Sequence, residues 1–204
     1  MRTTYLSFVL ALLGPLASSC TILPPLPSPQ DRMSVAVVGM RNGVVDQKIV
    51  NMLTTALSKG NYFTVIEYHA VDRVIAEHRL QLSDIIDAQT AVTVGRLLKS
   101  QLIVKGEIVV QKGQIIGIEG ILVARFVTIT SQVLDARTGK TILVVSEQGR
   151  SYAGGLPVDV TSGGERRRDV LGIKRTEEDM FNSAIRDAAD KVAVSIIRAV
   201  YGKR

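Results

Sequence analysis

The spacing of apolar positions changes along the chain in ways that predict most of its elements. From Ser34, SVAVVGM is a short, nearly continuous apolar run, as in a strand buried on both faces. Residues 45–59 then place Ile49, Met52, Leu53, Ala56 and Leu57 at helical spacing, and Gly60-Asn61 supply a stop. FTVIEY (63–68) is β-branched and aromatic, predicting a second strand; it leads into HAVDRVIAEHRLQ, where Val71, Val74 and Ile75, with Leu82 just beyond, recur at helix spacing. Residues 87–99 group Ala91, Val94, Gly95 and Leu98 on one face of a third helix. A glycine inside a helix costs up to ~1 kcal/mol, so Gly95 reads as a packing glycine against a sheet.

From Gln101 the texture turns to long β-rich runs, QLIVKGEIVVQ, ILVARFVTITSQVLDA and KTILVVSEQGRSY. The last two flank Asp135-Ala136-Arg137-Thr138-Gly139-Lys140, with Asp to start a turn and Gly for a left-handed backbone angle, so they predict an antiparallel hairpin. The glycine-rich, charged stretch YAGGLPVDVTSGGERRRDVLGIK interrupts the pattern. Thr176-Glu177-Glu178-Asp179 then opens a final helix as a variant capping box, and Phe181, Ala184, Ile185, Ala188, Val192, Ile196 and Val200 form one stripe along it. The resulting order, β-α-β-α-α-β-β-β-α, predicts an α/β domain over residues 34–204, a mixed β-sheet with covering helices.

Upstream of this domain the chain has a different character. A single charge, Arg2, precedes an apolar stretch from Tyr5 to Leu16 and the small residues Ala17-Ser18-Ser19, the layout of a bacterial export signal. The stretch is well short of the ~20 residues of a spanning helix. Leu16-Ala17-Ser18-Ser19-Cys20 resembles the lipobox of bacterial lipoproteins, although Leu is one step further from the cysteine than usual. The resemblance implies a signal peptide over residues 1–19 and an acylated Cys20. A plain secreted protein with a chance cysteine is the alternative. Acylation would also account for a lone thiol that has no disulfide partner in an oxidising compartment. Residues 20–33, with four prolines in TILPPLPSPQDR, predict a semi-rigid tether. Thr21 stands where lipoproteins retained at the inner membrane typically carry Asp, so the expected location is the periplasmic face of the outer membrane.

Composition adds two constraints. Hydrophobic residues make up 46% of the chain and aromatics only 4%, so the core must be aliphatic. The formal net charge of +6 becomes +5 once Arg2 is removed. In an exported protein this mild excess meets lipopolysaccharide, anionic lipid and cell-wall polymer, and no nucleic-acid partner is expected.

Candidate chemistry is sparse. His69 and His78 match no common zinc spacing, and Glu77 lies beside His78 without an H-E-x-x-H frame. With Cys20 assigned to lipid there is no Cys-His pair, and neither G-x-S-x-G nor S-x-x-K occurs. Gly113, Gly117 and Gly120 fit no phosphate-loop spacing and read as strand bends or turns. Glu177, Glu178 and Asp179 are what the dipole of a helix favours in its first turn. No catalytic residue, metal site or cofactor is therefore expected. The sharpest charge feature, Arg166-Arg167-Arg168 between Glu165 and Asp169, reads as a solvated loop tip or as a contact for an anionic partner.

Several of these stretches, in this order, resemble the CsgG family, the lipoproteins of curli secretion. They are FTVIEYHAVDRVIAEHRLQ, DAQTAVTVGRLLKSQLIVKGEI, VTITSQVLDARTGKTIL with its D-x-x-T-G hairpin, and the closing FNSAIRDAADKVAVSII. The resemblance covers roughly residues 34–200 apart from loops. It implies a periplasmic domain, lipid-anchored in the outer membrane, which in the secretion members assembles into a ring that exports amyloid subunits. In those pores each subunit contributes two amphipathic hairpins, placed where this sequence has residues 111–126 and 150–175. A spanning strand needs about 9–11 residues, so the first window is too short. The second carries Pro157, paired glycines and the three arginines, at least one of which alternation sends toward lipid at a cost of ~2–4 kcal/mol at mid-bilayer. The expectation is a non-enzymatic component of secretion or envelope assembly with a protein partner and no barrel of its own, homo-oligomerisation being allowed. The alternative is an accessory lipoprotein that activates a cell-wall synthase, as LpoB-type proteins do; rings would favour the first and monomers the second.

Overall fold

The computed structural model describes residues 23–41, 47–78, 80, 88–117, 120–162, 165–172 and 176–202. Its centre is a six-stranded mixed sheet, β1 (Ser34–Arg41), β2 (Thr64–Ile66), β3 (Leu102–Gly117), β4 (Gly120–Asp135), β5 (Thr141–Ser162) and β6 (Glu165–Gly172), in the order β2-β1-β3-β4-β5-β6. β1 runs parallel to β2 and β3, and the remaining pairs are antiparallel. Helices α1 (Gln47–Ser58) and α4 (Glu177–Tyr201) cover one face, and α2 (Tyr68–Glu77) and α3 (Ala88–Leu98) the other. No described helix is long and apolar enough to cross a membrane.

The expected spacings account for the helices. Ile49, Leu53, Ala56 and Leu57 of α1 are buried against Val35 and Val37 of β1, and Gly60 at φ 78° with Asn61 at φ 58° turns the chain out of the helix. Thr176 accepts from the N–H of Asp179 while the Asp179 carboxylate accepts from the N–H of Thr176, so the capping box is closed in both directions. Along α4 the stripe Ala184, Ile185, Ala188, Val192 and Ile196 is fully buried, with Phe181 and Val200 at its margins. Gly95 is a packing glycine: a Cβ there would stand 2.5 Å from the Ala136 Cβ.

Three expectations need correction. The strand expected over 63–68 is confined to Thr64–Ile66, because Glu67 already caps α2 and Tyr68 is its first residue. α2 closes at Glu77, and Leu82 lies outside the described residues. The largest change falls in the glycine-rich stretch, where β5 continues to Ser162 and a sixth strand, β6, returns beside it. Pro157 is tolerated there for a backbone reason. The N–H of Arg150 faces away from β4, toward Asp187, so alternation turns residue 157 to the β4 side, where the β4–β5 ladder has already ended at Ile121–Gly155. Gly117 and Gly120 flank the β3–β4 turn as expected, whereas Gly113 lies within β3 beneath the Phe126 ring.

Candidate functional site

β1, β2 and β3 all start at one end of the domain, where β4 and α4 finish. From there β3, β4 and β5 climb past α4. The first turn of α4 marks the level at which they leave their helical cover. Arg125 of β4, only 4% exposed, is paired with Glu177, which Lys112 of β3 also approaches at 3.6 Å. Beyond this level β3 and β4 continue only as Gly113–Gly117 and Gly120–Ala124, while β5 carries on to Ser162 and pairs with β6. The projecting part is a four-stranded blade of unequal hairpins.

Arg166, Arg167 and Arg168 therefore lie in a strand and not in the solvated loop tip expected for them, because Thr161, Val160 and Asp159 pair with them in register. Residues two apart share a face. In this register Arg166 stands opposite Thr161, Arg167 opposite Val160 and Arg168 opposite Asp159.

Below the blade, the edge of β5 is guarded by an ion pair on α4. Asp187 accepts from the Arg150 N–H at 2.9 Å, Lys191 donates to the Gln148 carbonyl at 2.9 Å, and the two side chains meet at 2.8 Å. Occupied backbone groups at a sheet edge blunt pairing with other chains. The sheet face opposite α4 is uncovered between Val109 and Tyr152, both exposed, with Phe126 and Tyr152 in edge-to-face contact at 6.4 Å.

The acids at the start of α4 all have partners: Glu177 meets Arg125 and Lys112, Glu178 meets Lys48 of α1 at 3.0 Å, and Asp179 closes the capping box. Among the described residues no group of three or more His, Cys, Asp or Glu could hold a metal. His69 and His78 are exposed at the two ends of α2.

The opposite end holds the tether. The Tyr62 hydroxyl donates to the Pro24 carbonyl at 2.5 Å, and the Tyr201 hydroxyl accepts from the Met33 N–H and donates to the Tyr62 carbonyl. A cleft of about 870 Å³ opens beside it, lined by Arg96, Lys99, Arg137, Ile142 and Leu143 among others. In the adjoining β4–β5 turn, Asp135 accepts from the N–H groups of Thr138 and Arg137, and these bonds hold its carboxyl below the usual carboxylate range, that to Thr138 most strongly. Cys20 lies outside the described residues.

Residues 22–204 match the family model described as curli production assembly/transport component CsgG. The chain belongs to the CsgG family. No curated protein matches it significantly. Among solved structures, the lipoprotein GNA1162 from Neisseria meningitidis is similar at 17% identity over 65% of this chain and 88% of that one, with a TM-score of 0.43. The LpoB C-terminal domain from Escherichia coli is similar at 15% identity over 57% and 81%, with a TM-score of 0.40. The PelC dodecamer from Paraburkholderia phytofirmans is similar at 9% identity over 87% and 94%, with a TM-score of 0.39. Likenesses this distant bear on neither mechanism nor partner.

Within this CsgG-family chain, the D-x-x-T-G segment forms the β4–β5 turn, with Gly139 at φ 68°. Sequence reasoning missed Arg125, whose signal was a lone charge inside ILVARFV, and the Tyr62–Tyr201–Met33 tie, for which local sequence carries no signal.

Proposed function

We propose that this CsgG-family chain is a lipoprotein of the outer membrane, periplasmic face, anchored through acylated Cys20 after loss of residues 1–19 and spaced by residues 20–33. It acts without catalysis in secretion or envelope assembly, through contact of its β3–β6 blade with a protein partner. Arg166, Arg167 and Arg168 on the outermost strand supply the basic part of that contact. It forms no membrane barrel of its own.

The observation that carries the last point is the inequality of the hairpins. Beyond the first turn of α4, Gly113–Gly117 and Gly120–Ala124 extend about 17 Å at ~3.3 Å per residue. A hydrocarbon layer is about 30 Å thick. The β5–β6 hairpin is longer, but strand alternation along Arg166-Arg167-Arg168 would send at least one arginine toward lipid, at a cost of ~2–4 kcal/mol at the mid-plane and less near the rim. A barrel wall made of one long and one short hairpin per subunit leaves lipid in contact with unpaired strand edges, which hydrocarbon does not tolerate.

The test is electrical. Purified acylated protein in planar bilayers is expected to give no discrete single-channel conductance. Reproducible nanosiemens-scale steps, abolished by deleting residues 154–172, would restore the pore.

A further inference from the structure

Two independent features meet at the end of the domain opposite the blade. The first is a limit on reach. The chain between Pro24 and Met33 is fixed at both ends: Pro24 by the Tyr62 hydroxyl, and Met33 by the Tyr201 hydroxyl and by its carbonyl, which accepts from the Thr64 N–H at 3.0 Å. Tyr62 and Tyr201 are themselves buried and packed together at 6.1 Å between ring centroids. Pro24 is thereby held near the level where β1 and β2 begin. The four peptide steps from Pro24 back to Cys20 span at most about 14 Å when fully extended. β3 climbs about 33 Å from Leu102 to Lys112, at ~3.3 Å per residue, before the blade even starts. While Pro24 stays on Tyr62, Cys20 itself cannot reach the surface of a bilayer located at the blade, so its acyl chains cannot be seated in one.

The second feature is the character of the surface at this end. Arg96, Lys99, Arg137 and Lys140 are exposed there, and among the described residues none of them forms a salt bridge. Asp135, the acid between them, already spends its carboxylate on backbone N–H groups. Exposed aliphatic side chains occur at the same end: Ile142, 54% exposed, lines one cleft with Arg96, Lys99 and Arg137, and Leu97, next to Arg96 in the chain, is 38% exposed, while Leu23 and Leu26 on the tether either side of Pro24 are 38% and 53% exposed. Cations interleaved with solvent-facing aliphatics fit the headgroup layer of an anionic membrane, which takes the charges at its phosphates and the apolar groups just below.

We infer that this basic, tether-bearing end rests on anionic phospholipid, with the β3–β6 blade pointing away from the membrane that holds Cys20. The inference rests on the anchoring proposed above. It assigns the two ends of the domain different partners, lipid at the β4–β5 turn and protein at the blade.

The test uses the acylated protein extracted from membranes and reconstituted on vesicles of phosphatidylethanolamine and phosphatidylglycerol containing a headgroup-quencher lipid. Cys20 is the only cysteine in the sequence, so one new cysteine, Thr138→Cys at the turn or Ser162→Cys at the blade tip, takes a fluorophore cleanly. The turn label is expected to lose most of its emission to the quencher and the blade label almost none. Reversing charge with Arg96→Glu, Lys99→Glu and Arg137→Glu should cut quenching of the turn label at least twofold, as should replacing phosphatidylglycerol with phosphatidylcholine. Tyr62→Phe, which frees Pro24, should narrow the difference between the two labels. A blade label quenched as strongly as the turn label, or more so, overturns the inference, as does indifference of the turn label to both charge changes. The mass of the Cys20 peptide from the same sample keeps the two readings apart. Unmodified Cys20 sinks the anchoring, whereas acylated Cys20 with a quenched blade sinks the orientation alone.

Discussion

α4 crosses β5 so closely at Gly149 that no side chain fits between them. A Cβ at that position would stand 1.9 Å from the Ala184 carbonyl oxygen, 2.5 Å from the Ala188 nitrogen and 2.9 Å from the Ala188 Cβ. Two of these three atoms are helix backbone, so no rotamer change relieves Gly149→Ala; α4 must lift by about 1 Å or β5 must sink. A radial gap of 0.5–1 Å forfeits roughly a quarter to a half of each dispersion contact. The contacts at risk belong to Ala184, Ile185, Ala188 and Val192, which seal α4 onto the sheet. Overpacking in a core ordinarily costs about 1–3 kcal/mol, and a clash against helix backbone belongs at or above the upper end, so a loss of about 3 kcal/mol is expected. That is a large share of the ~5–15 kcal/mol that stabilises a typical domain. Gly39→Ala supplies the control, because nothing lies within 4 Å of a Cβ built there. It should be neutral or stabilising by up to ~1 kcal/mol, since alanine loses less freedom than glycine in a strand. Equilibrium urea unfolding of both variants gives the comparison. A midpoint for Gly149→Ala within about 0.5 kcal/mol of the parent, at unchanged slope, would refute the argument that α4 rests directly on β5.

The same measurement checks the stripe of α4: Ile185 and Ile196, both fully buried, should each cost ~2–5 kcal/mol on truncation to alanine, and losses under about 0.5 kcal/mol for both would contradict their burial. Asp135 has a lowered pKa in the folded state, so its contribution is present above the ordinary carboxylate value and is lost as pH falls through the folded one. Urea midpoints should therefore drop below about pH 4, and Asp135→Asn should flatten that acid limb; an identical limb in the variant would count against the turn. Cys20→Ala should leave the membrane fraction or stall in processing while the domain still folds. Retention at high salt after normal signal cleavage would contradict lipid anchoring.

Those parts of the fold that obey a single period were legible. α1 and α4 bury most of the residues that helical spacing grouped, leaving Met52, Phe181 and Val200 half-buried at the margins, and the β4–β5 turn follows from Asp135 and Gly139, each fixed by chemistry within six residues. What escaped depended on partners remote in sequence. β6 was hidden because Gly154, Gly155 and Pro157 are read locally as breakers, yet β5 survives them by having β4 as partner up to Gly155 and β6 from Gly155 onward. The arginine run was mistaken for a loop for the same reason. Gly149 carries no local signal either, since its role is set by Ala184 and Ala188 on a helix that starts nearly thirty residues later.

The acids opening α4 show how a local explanation can be right and still incomplete. The helix dipole favours Glu177, Glu178 and Asp179 in a first turn, and that accounts for their charge. It does not account for their order. Asp179 sits where the capping box requires it, Glu178 reaches Lys48 on α1, and Glu177 turns to the sheet and meets Arg125. Arg125 would otherwise be a buried cation beside the positive end of a helix, unfavourable on both counts. Pairing it with Glu177 ties the start of α4 to one rank of the sheet, the rank of Lys112 and Arg125, and so sets the level at which the strands lose their cover. The length of sheet left without helical cover thus follows from which of three adjacent acids faces the sheet.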